Sequence, residues 1–242
     1  SFYQDDLVGD EVGIPLYFLG KKTKNSKIKV VQVGEGADEL FYGYDHWNRY
    51  LNLNKFLKPL FKSTKKYSSF KNHRLNMLSN ILFNRTSFAG GALGFNLKEL
   101  DSLIEDGLPN HSDLIFYADN KWKDYFSNKN SKISKWMTLI DLKIRLPELL
   151  LMRMDKLVMQ SAVEARVPFL DHKLVEYVLS LPEELLIDLT NTKSLLKKVA
   201  LKYLPDQIIN RKKQGFRAPI GEWIKKDEEK FHESVQQFNS LV

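Results

Sequence analysis

The sequence predicts an α/β protein, with one edge of a parallel sheet at the amino end and a mostly α-helical body after it. Three observations carry that expectation. Residues 28–33 form a short, β-branched run (Ile28, Val30, Val31, Val33) bounded by polar residues and Gly34, the pattern of a buried parallel strand. The run ends on Gly34-Glu35-Gly36, and residues 37–51 then place Leu40, Phe41, Tyr44, Trp47 and Leu51 at helical spacing, so strand, tight turn and helix follow one another. Nucleotide sites favour that order. From residue 97 onward the apolar spacing is mostly helical.

Each element has its own signal. Residues 14–22 carry Ile14, Leu16, Tyr17, Phe18 and Leu19 and then basic residues, reading as a helix that ends near Asn25-Ser26. Residues 52–95, rich in Lys, Asn and Ser, read as short helices joined by exposed loops. Helices are expected at 97–105, 113–126, 134–145 and 147–161, with Pro147 at a first helical position. An extended loop at 165–171 holds Val167-Pro168-Phe169-Leu170, and Asp171 is placed to cap the helix 172–180. Helices at 192–203 and 220–238 complete the chain, with Pro182, Pro205 and Pro219 as breaks.

The 242 residues, 43% hydrophobic and 12% aromatic, can bury a core large enough to offset chain entropy, which excludes a disordered protein. No apolar run approaches the roughly 18 residues of a membrane span, so a soluble, cytoplasmic protein is expected. Zero cysteines exclude disulfides, thiolate metal sites and cysteine nucleophiles. The net charge of +7 suits an anionic small molecule such as ATP as well as nucleic acid, and the lysine pairs are scattered without a DNA or RNA motif. No nucleic-acid partner is expected. Histidines 46, 73, 111, 172 and 232 show no metal-ligand spacing. Because the chain starts at Ser1, directly on Phe2-Tyr3-Gln4-Asp5-Asp6, it is expected to be a piece of something longer.

The turn at 34–36 is the most informative segment. Two glycines allow a sharp turn and bring backbone N–H groups against a ligand, ahead of a partly positive helix end. Glu39 occupies the third glycine position of a dinucleotide fingerprint, and no Lys-Ser or Lys-Thr of a Walker loop follows. Instead Glu35, Asp38 and Glu39 supply acid, which would repel phosphate unless Mg²⁺ lay between them. The plainer alternatives are that Asp38 and Glu39 merely favour a first helical turn and that Glu35 is a solvated turn residue.

Gly34-Glu35-Gly36-Ala37-Asp38-Glu39-Leu40-Phe41-Tyr42-Gly43-Tyr44 closely resembles the Ser-Gly-Glu-Gly-Ala-Asp-Glu-Leu-Phe-Gly-Gly-Tyr stretch of the asparagine synthetase family. Val33 stands where the family often has Ser, and Tyr42 where it often has Gly. The resemblance continues upstream through Gln4-Asp5-Asp6-Leu7, Asp10 and Pro15, although Glu11 stands where proline is usual. Downstream it takes in residues 146–156, Met159, and Glu164-Ala165-Arg166-Val167-Pro168-Phe169-Leu170-Asp171-His172. Lys193 with Leu195-Leu196-Lys197-Lys198 is similar to the family's Gly-Lys-x-x-Leu-Arg element, and Arg211-Lys212-Lys213-Gln214-Gly215-Phe216 with Pro219 and Trp223 to its closing one. Residues 52–133 match only in general character.

The resemblance implies the carboxyl-terminal part of an adenine-nucleotide alpha-hydrolase-like (PP-loop ATPase) synthetase domain. Residues 1–51 would end its nucleotide-binding α/β portion and 52–242 would be its helical portion. The implied enzyme is a cytoplasmic ligase of asparagine biosynthesis, an amidotransferase using aspartate, ATP with Mg²⁺, and ammonia from glutamine. Glu35 and Arg153 would be catalytic; Gly34, Gly36, Asp38, Glu39, Asp155 and Lys193 would hold the nucleotide or its pyrophosphate, and Asp38 and Glu39 the metal. Read from the residues alone, Arg153 and Asp155 fit a surface ion-pair cluster and Lys193 a solvated lysine. Glu164 and Arg166 read as a salt bridge that satisfies buried charge.

The family's Ser-Gly-Gly-x-Asp-Ser loop is absent, since Ser87-Phe88-Ala89-Gly90-Gly91-Ala92 lacks its order, and so is the cysteine-bearing glutaminase domain. The isolated piece is expected to be inactive, and a homodimer is compatible with the resemblance. Two alternatives stay open: amidation of another carboxylate such as a uronic acid, and a non-catalytic helical assembly module.

Overall fold

The computed structural model describes residues 12–57 and 133–212. In chain order its elements are α1 (Gly13–Asn25), β1 (Val30–Gln32), α2 (Ala37–Leu40), α3 (Asp45–Leu57), α4 (Ile133–Ile140), a π-helical stretch (Asp141–Leu151), α5 (Met152–Met159), β2 (Glu164–Arg166), a 3-10 turn (Pro168–Leu170), α6 (His172–Ser180), α7 (Glu183–Leu186), α8 (Ser194–Ala200) and α9 (Asp206–Ile209). The helices expected at 97–105, 113–126 and 220–238, and nearly all of 52–95, lie outside the described residues, as do Gln4 to Glu11 and Gly215 to Trp223. The described chain forms two compact units, one of residues 12–32, 152–166 and 211–212, the other of 33–57, 133–151 and 167–210.

In the first unit, α1 packs on α5 through Leu16 and Gly20. A Cβ added at Gly20 would stand 3.2 Å from Ser161 Oγ and 3.3 Å from the Leu157 carbonyl, so the small residue is what lets the helices approach. Lys22 and Lys24 sit in the last turn of α1, where positive charge complements the helix end. β1 and β2 pair in parallel, with Val30 opposite Glu164, Val31 opposite Ala165 and Gln32 opposite Arg166. The expected strand exists but is shorter and not buried: Val30 is 52% exposed, because no second sheet layer covers it among the described residues. β2 falls partly in the segment expected to be a loop, and three residues are too few for a period-2 pattern to show. The Glu164–Arg166 salt bridge forms at 2.8 Å but on the surface rather than around buried charge, since i and i+2 on a strand share one face.

The second unit is built on an aromatic and aliphatic core of Leu40, Phe41, Tyr42, Trp47, Tyr50, Trp136, Met137, Ile140, Val178 and Leu186. Burying side chains of this size contributes roughly 1.5–3 kcal/mol each. Phe41 meets Phe169 edge to face with centroids 6.3 Å apart, tying the turn region to the Pro168–Leu170 segment. Asp171 caps α6 as expected, accepting from Lys173 N at 3.0 Å and Leu174 N at 3.2 Å.

Three helices depart from expectation. The single helix expected over 37–51 is interrupted after Leu40: Tyr42 adopts a left-handed φ of 54°, and the chain restarts as α3 at Asp45. At the break only glycine fits at 43, where a Cβ would collide with Asp38 Oδ1 and Lys193 Cε. Pro147 does not open a new helix; it lies inside the π-helical stretch, which joins α4 to α5 without a gap. The wider turns there take up the carbonyl clash that ends an α-helix at proline. α8 begins only at Ser194, after Lys193 turns into the left-handed region.

Candidate active site

Gly34, Glu35 and Gly36 form the tight turn after β1, with Ala37 N donating to the Gly34 carbonyl at 3.3 Å. Gly36 has φ 91°, a conformation that L side chains rarely adopt, and a Cβ there would also strike the Leu170 side chain. Glycine is therefore required at 36, whereas nothing crowds Gly34. α2 has only four residues, so the long helix dipole expected behind the turn is reduced to a single turn.

The adjacent carboxylates of α2 go to different surroundings. Asp38 is partly exposed, and its Oδ1 lies 3.0 Å from Lys193 Nζ. Glu39 is 1% exposed; its Oε1 accepts from the Tyr44 hydroxyl at 2.5 Å and lies 3.9 Å from Arg145 Nη1. The guanidinium also sits 5.0 Å from the Tyr44 ring centroid and donates from Nη1 to Asp141 Oδ2 at 2.8 Å. Thr138 Oγ1 donates to the Glu39 carbonyl at 3.4 Å. Burial, followed by Glu39, pushes Tyr44 above its ordinary range, keeping it a neutral donor. Burial, then the Glu39 and Asp38 carboxylates, also raise the Glu35 carboxyl against the pull of Arg145 and Lys193. A carboxyl raised in this way is tuned for proton transfer nearer neutral pH.

Lys193 is delivered by a braced loop. The Asp188 carboxylate accepts from Thr190 N, Thr190 Oγ1, Asn191 N and Asn191 Nδ2, at 2.9, 2.6, 3.2 and 3.3 Å. These bonds, led by the Thr190 hydroxyl, lower its pKa to about 2. Asn48 Nδ2 of α3 donates to the Asp188 carbonyl at 3.2 Å, so the loop is tied to the helix that follows α2 in the chain.

The structure thus brings Gly34, Glu35, Gly36, Asp38, Glu39 and Lys193 together in the second unit. Arg153 and Asp155 lie on α5 of the first unit. Arg153 is 5% exposed and its burial lowers its pKa, so it is not the surface charge that the residues alone suggest; Asp155 is exposed. Sequence reasoning assigns no role to Tyr44, Asp141, Arg145 or Asp188. The i, i+4 spacing of Asp141 and Arg145, an acid four residues before a base on one helical face, is the signal that could have found two of them.

Among the described residues no group of three or more His, Asp or Glu side chains is placed to hold a metal. Mg²⁺ carried on a polyphosphate does not require such a group, since it needs one or two carboxylates and takes its other ligands from phosphate and water. Asp38 fits, being partly exposed beside a lysine that can take the phosphate charge. The Glu39 carboxylate is instead occupied by Tyr44 and Arg145.

The family model described as asparagine synthase matches residues 1–237. The chain belongs to the asparagine synthase family. Within that family the chain is 32% identical over 228 residues to asparagine synthetase [glutamine-hydrolyzing] 1 of Bacillus subtilis, covering 92% of this chain and 36% of the relative. It is 38% identical over 84 residues to asparagine synthetase [glutamine-hydrolyzing] 3 of the same organism, covering 31% and 14%. It is also 28% identical over 258 residues to the amidase chyE of Penicillium rubens, covering 92% and 38%. The chain therefore spans little more than a third of the length of the two relatives that match 92% of it here. No solved structure matches it. No described helix is long and apolar enough to cross a membrane.

Proposed function

We propose that this chain forms the pyrophosphate-facing part of an ATP-dependent, glutamine-hydrolysing asparagine synthetase, on an adenine-nucleotide alpha-hydrolase-like fold. The observation that carries the reading is the Asp38–Lys193 pair beside the Gly34-Glu35-Gly36 turn, in a chain of the asparagine synthase family. In the reaction an aspartate carboxylate oxygen attacks the α-phosphorus of ATP, and pyrophosphate departs with the broken P–O bond. Ammonia then attacks the acyl carbon, AMP leaves, and the nitrogen loses a proton.

Each residue has a distinct task. Lys193 places a point charge on the leaving pyrophosphate, where charge develops in the transition state. Asp38 would hold Mg²⁺ carried on the polyphosphate, and the ion would supply charge that neutralises the phosphate oxygens. Gly36 holds the turn, and the raised carboxyl of Glu35 takes the proton from the attacking nitrogen. Glu39 keeps α2 in place from below rather than facing the phosphate. Arg153 and Asp155 are proposed to contribute from α5. Ammonia would come from glutamine in a part of the protein outside this chain, a reading supported by the names of the relatives and the share of them that the chain covers.

Pyrophosphate release and asparagine formation by the full-length protein, with ATP, Mg²⁺, ammonia and aspartate, test the reading. Both products with aspartate are expected. Release with a uronic acid alone would replace the substrate, and release with neither would overturn the synthetase reading.

A further inference from the structure

We infer that Arg145 is a positioning residue for amide formation, setting the acidic turn through Glu39. The inference rests on the synthetase reading and on Glu35 as its proton acceptor. Four contacts meet at this guanidinium or at the carboxylate it faces. Arg145 is fixed from its own π-helical stretch by Asp141, which is wholly buried and 2.8 Å away. From there it covers the Tyr44 ring, while Tyr44 and Arg145 converge on one oxygen, Glu39 Oε1. Thr138 of the preceding helix holds the Glu39 backbone carbonyl. Glu39 is thus pinned by both its side chain and its backbone.

The consequence reaches the site through one short element. α2 contains only Ala37, Asp38, Glu39 and Leu40, and Gly36 before it is the turn residue that follows Glu35. An element of four residues has little rigidity of its own, so its orientation depends on what anchors it. Leu40 and Ala37 bury apolar surface, and Asp38 is held on the open side by Lys193; Glu39 supplies the directional anchor on the buried side, where its hydroxyl and guanidinium partners limit rotation about the helix axis, which hydrophobic contact leaves soft. That rotation decides where Asp38 and Glu35 point. The plain alternative is that Arg145 only neutralises buried carboxylates, in which case its loss would affect stability and not the chemistry of a folded enzyme.

The test uses the full-length protein with ammonia supplied directly, measuring asparagine formation and thermal melting for Arg145→Met, Arg145→Lys, Tyr44→Phe and Glu35→Gln. Loss of an outer partner of this kind typically costs roughly 10–100-fold in activity. Arg145→Met is expected to lower kcat within that range while the KM for ATP stays within about twofold, and Arg145→Lys to recover most of kcat. Tyr44→Phe, which removes one hydroxyl and keeps the ring, decides the matter if Arg145→Met does not fold: it should lower kcat in a protein that remains folded at the assay temperature, with a melting temperature reduced by the lost hydrogen bond. Turnover within twofold of wild type in both Arg145→Lys and Tyr44→Phe, with Arg145→Met either unfolded or equally active, would overturn the positioning role. Glu35→Gln separates the two readings. If it abolishes asparagine formation while the Arg145 and Tyr44 variants stay active, only the positioning role falls; if it is fully active, both fall.

Discussion

Lys193 Nζ lies 3.0 Å from Asp38 Oδ1, so the lysine that opens α8 closes on the aspartate of α2 across the backbone of Gly43. The two groups neutralise one another across a partly exposed gap, and they are the pair proposed above to meet the pyrophosphate. Lys193 holds a left-handed backbone conformation with φ 56°, which costs a non-glycine residue energy and persists where the surrounding structure over-determines it.

Removing either member should therefore separate stability from activity. A partly exposed ion pair contributes roughly 0–1 kcal/mol, so Lys193→Met and Asp38→Asn are expected to melt within a few degrees of wild type. Their rate of pyrophosphate release should fall by about 10²-fold or more. A melting scan beside a release assay checks both, and normal release by Lys193→Met would remove the lysine from the site.

Gly43→Ala tests the crossing itself. The added methyl overlaps both Asp38 Oδ1 and Lys193 Cε, so the pair must part or the backbone must shift. Overpacking of this kind costs roughly 1–3 kcal/mol. We expect a lowered melting temperature and pyrophosphate release as poor as in Lys193→Met. A variant with wild-type melting and turnover would show that the contact is unimportant.

Asp141 should make stability depend on pH. Burial is the largest influence and lifts its carboxyl to about 6 despite Arg145, while an unfolded aspartate titrates near 3.9. The folded state binds the proton more tightly, so the stability this group contributes is complete below about pH 4 and is lost as pH rises through about 6. Asp141→Asn keeps the shape without the ionisation. Comparing denaturation midpoints of the two proteins from pH 4 to 7, the wild type should lose, relative to the variant, on the order of 3 kcal/mol at about 1.4 kcal/mol per pH unit. Parallel curves across that range would refute the assignment.

Asp188 acts with the opposite sign. Its carboxyl is depressed to about 2 by donors from Thr190 and Asn191, so its contribution is present above about pH 4 and disappears as pH falls through about 2. Because the loop it braces leads to Lys193, Asp188→Ala should raise the KM for ATP several-fold at neutral pH, alongside a lowered melting temperature that reflects the lost hydrogen bonds. Steady-state kinetics over ATP concentration would show this, and an unchanged KM would leave the loop a purely structural feature.

Much of the site is legible in the sequence. The order of strand, glycine turn and acidic residues follows from local chemistry: Gly36 takes a conformation other residues avoid, and Asp171 caps the helix behind it as its residue type suggests. The buried half is not legible there. In the sequence Tyr44 is one more residue of an apolar helical spacing and Arg145 carries no motif, and their convergence on Glu39 separates that carboxylate from its neighbour Asp38.

By itself, the sequence determined the family, the acidic turn and the positions of α1 and α6, because each depends on residues close together in the chain. Tertiary structure alone decided where α2 ends, how Pro147 is absorbed, that β2 pairs with β1, and which acid faces which cation. The physical reason is shared by all four. Helical spacing records which residues are apolar, but a helix stops, a strand pairs and a carboxylate turns according to what lies against it, and those neighbours come from distant parts of the chain.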